Sequence, residues 1–192
     1  IIVAVQVFAG QWLPQWRPYE DHRTGMSAQI ATGGGVLLDL VHEFDYLCSL
    51  LGNIETVNCH TSNSGVLEIE TEESADILLQ FENGIKGTVH LDYLQPQLKR
   101  YAIFTGTAGT ITWNLADRFV EFVDRNGQPD LFSYADTERN DRFKSIMQAF
   151  LADKEDDRFV YLADAVKSLQ VVLAAKRSDN TNSVVAVRDI QF

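Results

Sequence analysis

Between Val36 and Leu51 the apolar positions recur at helical spacing. At about 100° per residue, Val36, Leu37, Leu40, Val41, Phe44, Leu47, Cys48 and Leu51 fall in one arc, which predicts an amphipathic helix with that arc on the core. The opposite arc holds Asp39, His42, Glu43 and Asp45, yet Leu38, Tyr46 and Leu50 lie among these charges. That mixture predicts a face covered by something other than water. Two later stretches have the same period: Glu138–Ala152, with Phe143, Ile146, Met147 and Phe150, and Tyr161–Lys176, with Val166, Leu169, Val172 and Leu173. Both are predicted as helices that cover one face of a sheet. The polar run Ser178–Ser183 is predicted as a connection.

Elsewhere the period falls to two, the signature of half-buried strands. Ala75, Ile77, Leu79 and Phe81 alternate with polar neighbours, as do Ile85, Gly87, Val89, Leu91 and Tyr93. A two-residue Asn83-Gly84 turn would put the two apolar rows on opposite faces. A three-residue loop, Glu82-Asn83-Gly84, pairs Phe81 with Ile85 and Ile77 with Val89 and keeps the rows together, so this register is predicted, with Gly84 left-handed. It also sets Asp76 against His90 and Gln80 against Lys86 on the outer face, which gives His90 a structural role. Further strands are predicted at Ile1–Phe8, Glu55–Thr61, Lys99–Thr105, Thr110–Leu115 and Arg118–Asp124, with Gly106 and Gly109 as turn residues. The outer row of the 99–105 strand is either Tyr101 and Ile103 or Ala102 and Phe104. The fold class is therefore α+β: a largely antiparallel open sheet with helices on one face.

Length and composition fit one domain over residues 1–192, with 45% hydrophobic residues to build a core. A formal net charge of −11 argues against a nucleic-acid partner. No segment has the length and apolarity of a membrane span, and the opening apolar run lacks the basic leader of a signal peptide. Cys48 and Cys59 are predicted as buried free thiols, which implies a cytoplasmic setting. The start on a strand without methionine suggests a piece of something longer.

Candidate chemistry gathers in two places. His42 lies three residues after Asp39 and three before Asp45, so on a continuous helix either carboxylate could orient the imidazole. Before it, Ala9–Thr32 is a long irregular segment with Trp12, Trp16, Arg17, Tyr19, Asp21 and Arg23. Aromatic faces beside charged groups suit a polyhydroxyl ligand, so Trp16, Arg17, Tyr19, Asp21 and Arg23 are the candidate substrate-loop residues, although the tryptophans alone could simply pin the loop to the core. A metal held by Asp39, His42 and Asp45 is a weaker reading, because no fourth ligand is in view. No Gly-x-Gly-x-x-Gly occurs, and Gly33-Gly34-Gly35 lacks the spacing of a phosphate loop.

Gly33-Gly34-Gly35, four residues to Asp39, then His42 and Asp45, resembles the signature of the glucose-fructose oxidoreductase, inositol dehydrogenase and rhizopine catabolism family, at the first helix of its C-terminal domain. Later stretches resemble further landmarks in the same order: Glu73–Asp76 to Phe81–Gly84, Thr105–Ile111, Glu138-Arg139-Asn140, and Ala174–Ser178. The resemblance implies a dihydrodipicolinate-reductase-like C-terminal domain of a longer protein, with the Rossmann domain absent from this chain. It also implies an NAD- or NADP-dependent oxidoreductase acting by hydride transfer on a sugar, sugar derivative or cyclitol, with the dinucleotide bound mainly by the absent domain and this fragment alone inactive. His42 and Asp39 match the family's catalytic His and Asp, and Trp16, Arg17, Tyr19, Arg23 and Asp45 are the expected substrate contacts. The family's catalytic Lys sits in a Glu-Lys-Pro motif that does not occur here. Many members separate the Asp and His by three residues where this chain has two, which puts the role of Asp39 in question. A homo-oligomer through the open sheet face is implied as well. The alternative is a non-catalytic sugar-binding or dimerisation module.

Overall fold

The computed structural model describes residues 1–138, 140–152 and 160–191. Nine strands form one sheet: β1 (Ile2–Gly10), β2 (Ile54–Ser62), β3 (Ser74–Phe81), β4 (Lys86–Asp92), β5 (Lys99–Gly106), β6 (Gly109–Asn114), β7 (Phe119–Asp124), β8 (Pro129–Ser133) and β9 (Val185–Ala186), in the order β8-β7-β6-β5-β1-β4-β3-β2-β9. All neighbours are antiparallel except β1 and β4, so the sheet is mixed. The helices are α1 (Val36–Asp39), α2 (His42–Leu51), α3 (Asp141–Leu151) and α4 (Leu162–Thr181).

The β3–β4 hairpin has the predicted register. Ile77 faces Val89, Asp76 faces His90, Gln80 faces Lys86, and Gly84 is left-handed at φ 87°. The buried rows Val5, Val7, Ile77, Leu79, Val89, Leu91, Ala102 and Phe104 share the face toward α2 and α4. That alternation places Tyr101 and Ile103 in the outer row with Gln6, Phe8, Leu78 and Thr88. Strands β8 and β9 have no alternating apolar signature and were not foreseen.

Three expectations for the helices are corrected. The predicted helix from Val36 to Leu51 is broken at Leu40 (φ −102°, ψ 24°), and α2 starts afresh at His42. Helix α3 does not cover the sheet, since Phe143, Ile146, Met147 and Phe150 are all exposed. Within the Glu138-Arg139-Asn140 landmark, Arg139 lies outside the described residues. Ser178–Ser183 is not a plain connection, because α4 runs on through Thr181 and its last turns are fastened to β2. The Cys59 amide donates to Ser178 Oγ (3.0 Å), and the Thr61 amide and hydroxyl donate to the Asp179 carboxylate (2.7 and 2.6 Å). A helix terminus held this way gains a fixed position over the sheet that its polar sequence conceals.

Candidate functional site

The segment after β1 is not a free loop. It turns through four short 3-10 segments between Leu13 and Thr32, and its anchors are backbone bonds to the end of β4 and to residues 67–73. The Leu13 amide reaches the Tyr93 carbonyl (3.0 Å), and the Glu70 amide reaches the Ala28 carbonyl (3.0 Å). His22 Nε2 contacts the Leu67 carbonyl at 3.0 Å. The 62–73 stretch is itself organised around the buried Glu73 carboxylate, which accepts from the Ser64 hydroxyl and the Ser64 and Leu67 amides.

Where this segment meets α1 there is a cleft of about 150 Å³ lined by Leu13, Trp16, Arg17, Glu20, His22, Met26, Ser27 and Asp39. Asp39 stands at its floor, accepting a 2.7 Å hydrogen bond from the Tyr93 hydroxyl. Tyr93 is fully buried, and burial, followed by the neighbouring Asp39 charge, pushes its hydroxyl far above the ordinary range, so it stays a donor to the carboxylate. The Trp16 ring meets Tyr93 edge-on at 5.5 Å, and its Nε1 is buried with no partner among the described residues. Trp16, Tyr93 and Asp39 thus form one packed series from the loop to the helix.

The remaining candidates lie elsewhere. Tyr19 is 80% exposed and away from the cleft. Arg23 is committed to Asp21 and, at 2.9 Å, to Glu68, and it holds the Asp21 carboxyl down to about 2. Asp45 accepts from Ser168 Oγ of α4 (3.0 Å), a contact that ties α2 to α4. The expected pairing of His42 with Asp39 or Asp45 is not found. The break at Leu40 turns α2 relative to α1, and the carboxylate beside His42 is Glu43, with its Oε1 3.2 Å from Nε2. Glu43 is wholly buried and also meets Arg100 Nε at 2.7 Å. The sequence places Glu43 and Tyr46 on the polar arc, a face predicted to be covered by something other than water. The cover is Arg100 of β5 and Trp113 of β6, whose ring meets Tyr46 edge-on at 5.1 Å.

Asp39, His42 and Asp45 therefore face three different partners, and among the described residues no cluster of metal-ligand side chains is found. The triple glycine does not suit a dinucleotide phosphate either. A Cβ on Gly34 would lie 2.4 Å from the Met26 carbonyl oxygen, and one on Gly35 2.4 Å from the Glu72 carboxylate. These glycines exist for close packing against backbone and a carboxylate, a surrounding that repels phosphate. Cys48 and Cys59 are free, with burial pushing the thiols up to about 11 and about 12. Among the described residues no helix is long and apolar enough to cross a membrane.

The chain is a mixed open sheet with, between β1 and β2, a glycine-framed Asp39 and a His42 on either side of a helix break. Residues 2–112 match the GFO/IDH/MocA C-terminal domain, and the chain belongs to that family. No curated protein matches the chain. Among solved structures it is similar to levoglucosan dehydrogenase in complex with NADH and levoglucosan (TM-score 0.76, 17% identity, 98% of this chain and 59% of that one). It is also similar to an oxidoreductase from Agrobacterium radiobacter in complex with NAD+, L-tartaric acid and magnesium (0.74, 21%, 100% and 58%). A third is the WlbA dehydrogenase from Bordetella pertussis in complex with NADH and UDP-GlcNAcA (0.67, 20%, 96% and 55%). At these identities the likeness is one of fold, and the chain spans less than two thirds of the length of each.

Proposed function

We propose that residues 1–192 are the single C-terminal, substrate-side domain of an NAD(P)-dependent oxidoreductase acting on a sugar, sugar derivative or cyclitol. The observation that carries this reading is the cleft joining Asp39 to Trp16 and Arg17; His42, which opens α2 three residues after Asp39, does not line it. The hydride chemistry belongs to a nicotinamide held outside these residues, because nothing in the glycine turn accommodates it. What this chain contributes is substrate binding and the proton.

His42 is 46% exposed and makes its close contact through Nε2 alone, so its other nitrogen is free to exchange a proton with a substrate hydroxyl. Asp39, fixed by Tyr93, is the hydroxyl acceptor in the cleft. Trp16 offers an apolar face and Arg17 a charged edge to a polyhydroxyl ligand. Tyr19, Arg23 and Asp45 have more distant supporting roles. The outer face of the sheet, with Leu78 57% exposed beside Phe8, Tyr101 and Ile103, suits a second copy of the chain, and free thiols, Cys59 buried and Cys48 only half-buried, suit a cytoplasmic setting. The test is turnover of sugars and cyclitols by the domain joined to its dinucleotide-binding partner. Loss on both His42→Ala and Asp39→Asn, with cofactor affinity intact, supports the reading. Unchanged turnover in both, or a chain that binds sugars equally well with no redox activity in the joined form, overturns it in favour of a binding module.

A further inference from the structure

We infer that Glu43 is the positioning residue for His42: it holds the ring proton on Nε2 and leaves Nδ1 as the nitrogen that works on the substrate. The inference rests on the proposed proton-transfer role of His42 and names the group that sets it up.

Glu43 is fully buried in the first turn of α2, between the buried Leu40 and Phe44. A carboxylate in such a place costs several kcal/mol of desolvation unless a counter-charge meets it. Arg100 Nε, 2.7 Å from Oε1, supplies that charge from β5. The same oxygen is 3.2 Å from His42 Nε2. The contact is not aligned as a hydrogen bond and acts through charge: a carboxylate offers only acceptors, so it favours the proton on the nearer imidazole nitrogen. Nδ1 then has the lone pair, and as it gains a proton the charge on the ring develops against Glu43.

The arrangement is poor as a stability device. Glu43 Oε2 and the Tyr46 hydroxyl are buried without hydrogen-bond partners, and the Arg100 and His42 contacts are close without being aligned as hydrogen bonds. An apolar residue at position 43 would satisfy the packing with none of these costs. Unsatisfied buried polar groups held against an exposed imidazole mark a site arranged for chemistry. Trp113 closes the cluster from β6 through its contact with Tyr46, which keeps water from Glu43.

The test is long-range proton–nitrogen correlation spectroscopy on the chain carrying ¹⁵N-labelled histidine. The sequence has four histidines, and His42→Gln assigns the signal of interest. Above its titration midpoint, wild-type His42 is expected to carry the proton on Nε2. In Glu43→Gln, where the charge is lost, the Nδ1–H tautomer of His42 is expected to gain population. A wild-type Nδ1–H tautomer, or an unchanged tautomer ratio in folded Glu43→Gln, overturns the inference. If Glu43→Gln does not fold, the wild-type tautomer decides alone. None of these signals depends on turnover, so failure here is separate from failure of the proposed activity, which His42→Ala in the joined enzyme reports.

Discussion

His42 and His90 are both imidazoles set against carboxylates, on opposite sides of one sheet, and they are held very differently. His90 has both nitrogens engaged: Nδ1 is 2.7 Å from Asp76 and Nε2 is 3.1 Å from Asp92, with the Phe8 ring stacked at 4.8 Å. Asp92 first and then Asp76 raise its pKa to about 9, against the desolvation that opposes them. It is a fixed cation at neutral pH with no nitrogen to spare. His42 is held by one nitrogen only, over a carboxylate that is itself neutralised by Arg100. In the proposed reaction it is the free nitrogen of His42, and not proximity to an acid, that suits it to proton transfer.

The sharpest way to break the comparison is to remove each ring. His42→Ala is expected to lower turnover of the joined enzyme by about 10²–10⁴-fold, whereas His90→Ala leaves turnover per folded molecule near wild type. Equal effects in the two variants would erase the distinction. Next in size is Tyr93→Phe, which takes a charge-assisted hydrogen bond from Asp39 in a buried setting. It is expected to cost about 1.5–3 kcal/mol in urea unfolding and to weaken substrate binding.

The His90 arrangement makes a smaller, pH-dependent prediction. A histidine whose folded pKa lies above its unfolded value contributes stability below the unfolded value of 6.5 and loses it as pH rises through about 9. The stability gap between wild type and His90→Gln is therefore expected to be largest near pH 6 and to close by pH 10. Its size, discounted for a ring that is still one-third exposed, is about 1–2 kcal/mol. A gap that widens with pH would contradict the assignment. On the same face, Leu78→Lys is expected to turn a dimer into a folded monomer by light scattering, with little change in melting. The smallest expected signal is none: NADH or NADPH titrated into this chain alone gives no heat beyond dilution, and micromolar binding would reverse the reading of Gly33–Gly35.

The contrast also explains what was legible in the sequence. The His90 side was readable because hairpin register is a local matter: Asn83-Gly84 and the alternating rows place Asp76 opposite His90 without reference to the rest of the chain. The choice between Tyr101 and Ala102 needed the pairing of β5 with β1, about a hundred residues away, and no local pattern carries that. The His42 side was legible in its ingredients and not in its pairing. Leu37, Leu40, Val41 and Phe44 keep helical spacing straight through the break, because both short helices bury the same apolar side. What breaks the helix are distant partners: Tyr93 on Asp39, Glu72 at the start of α1, where its carbonyl accepts from the Val36 amide, and Arg100 on Glu43. Trp16 and Arg17 were found by composition, whereas Glu20 and His22 were passed over because no aromatic or spacing cue singled them out. The exposed apolar face of α3 shows the converse error, an amphipathic period without a partner among the described residues.

The place of β1 in the sheet has a consequence for how the molecule is made. The strand formed by Ile2–Gly10 is made before both of its neighbours in the sheet, residues 86–92 and 99–106. At about 5–20 residues per second, synthesis leaves this apolar strand without either edge partner for roughly 5–20 s. During that interval Val5, Val7 and Ala9 lack the strands that flank them in the finished sheet, the kind of exposed apolar segment that holding chaperones bind. The centre of the finished sheet thus closes only after residues 86–106 have been made.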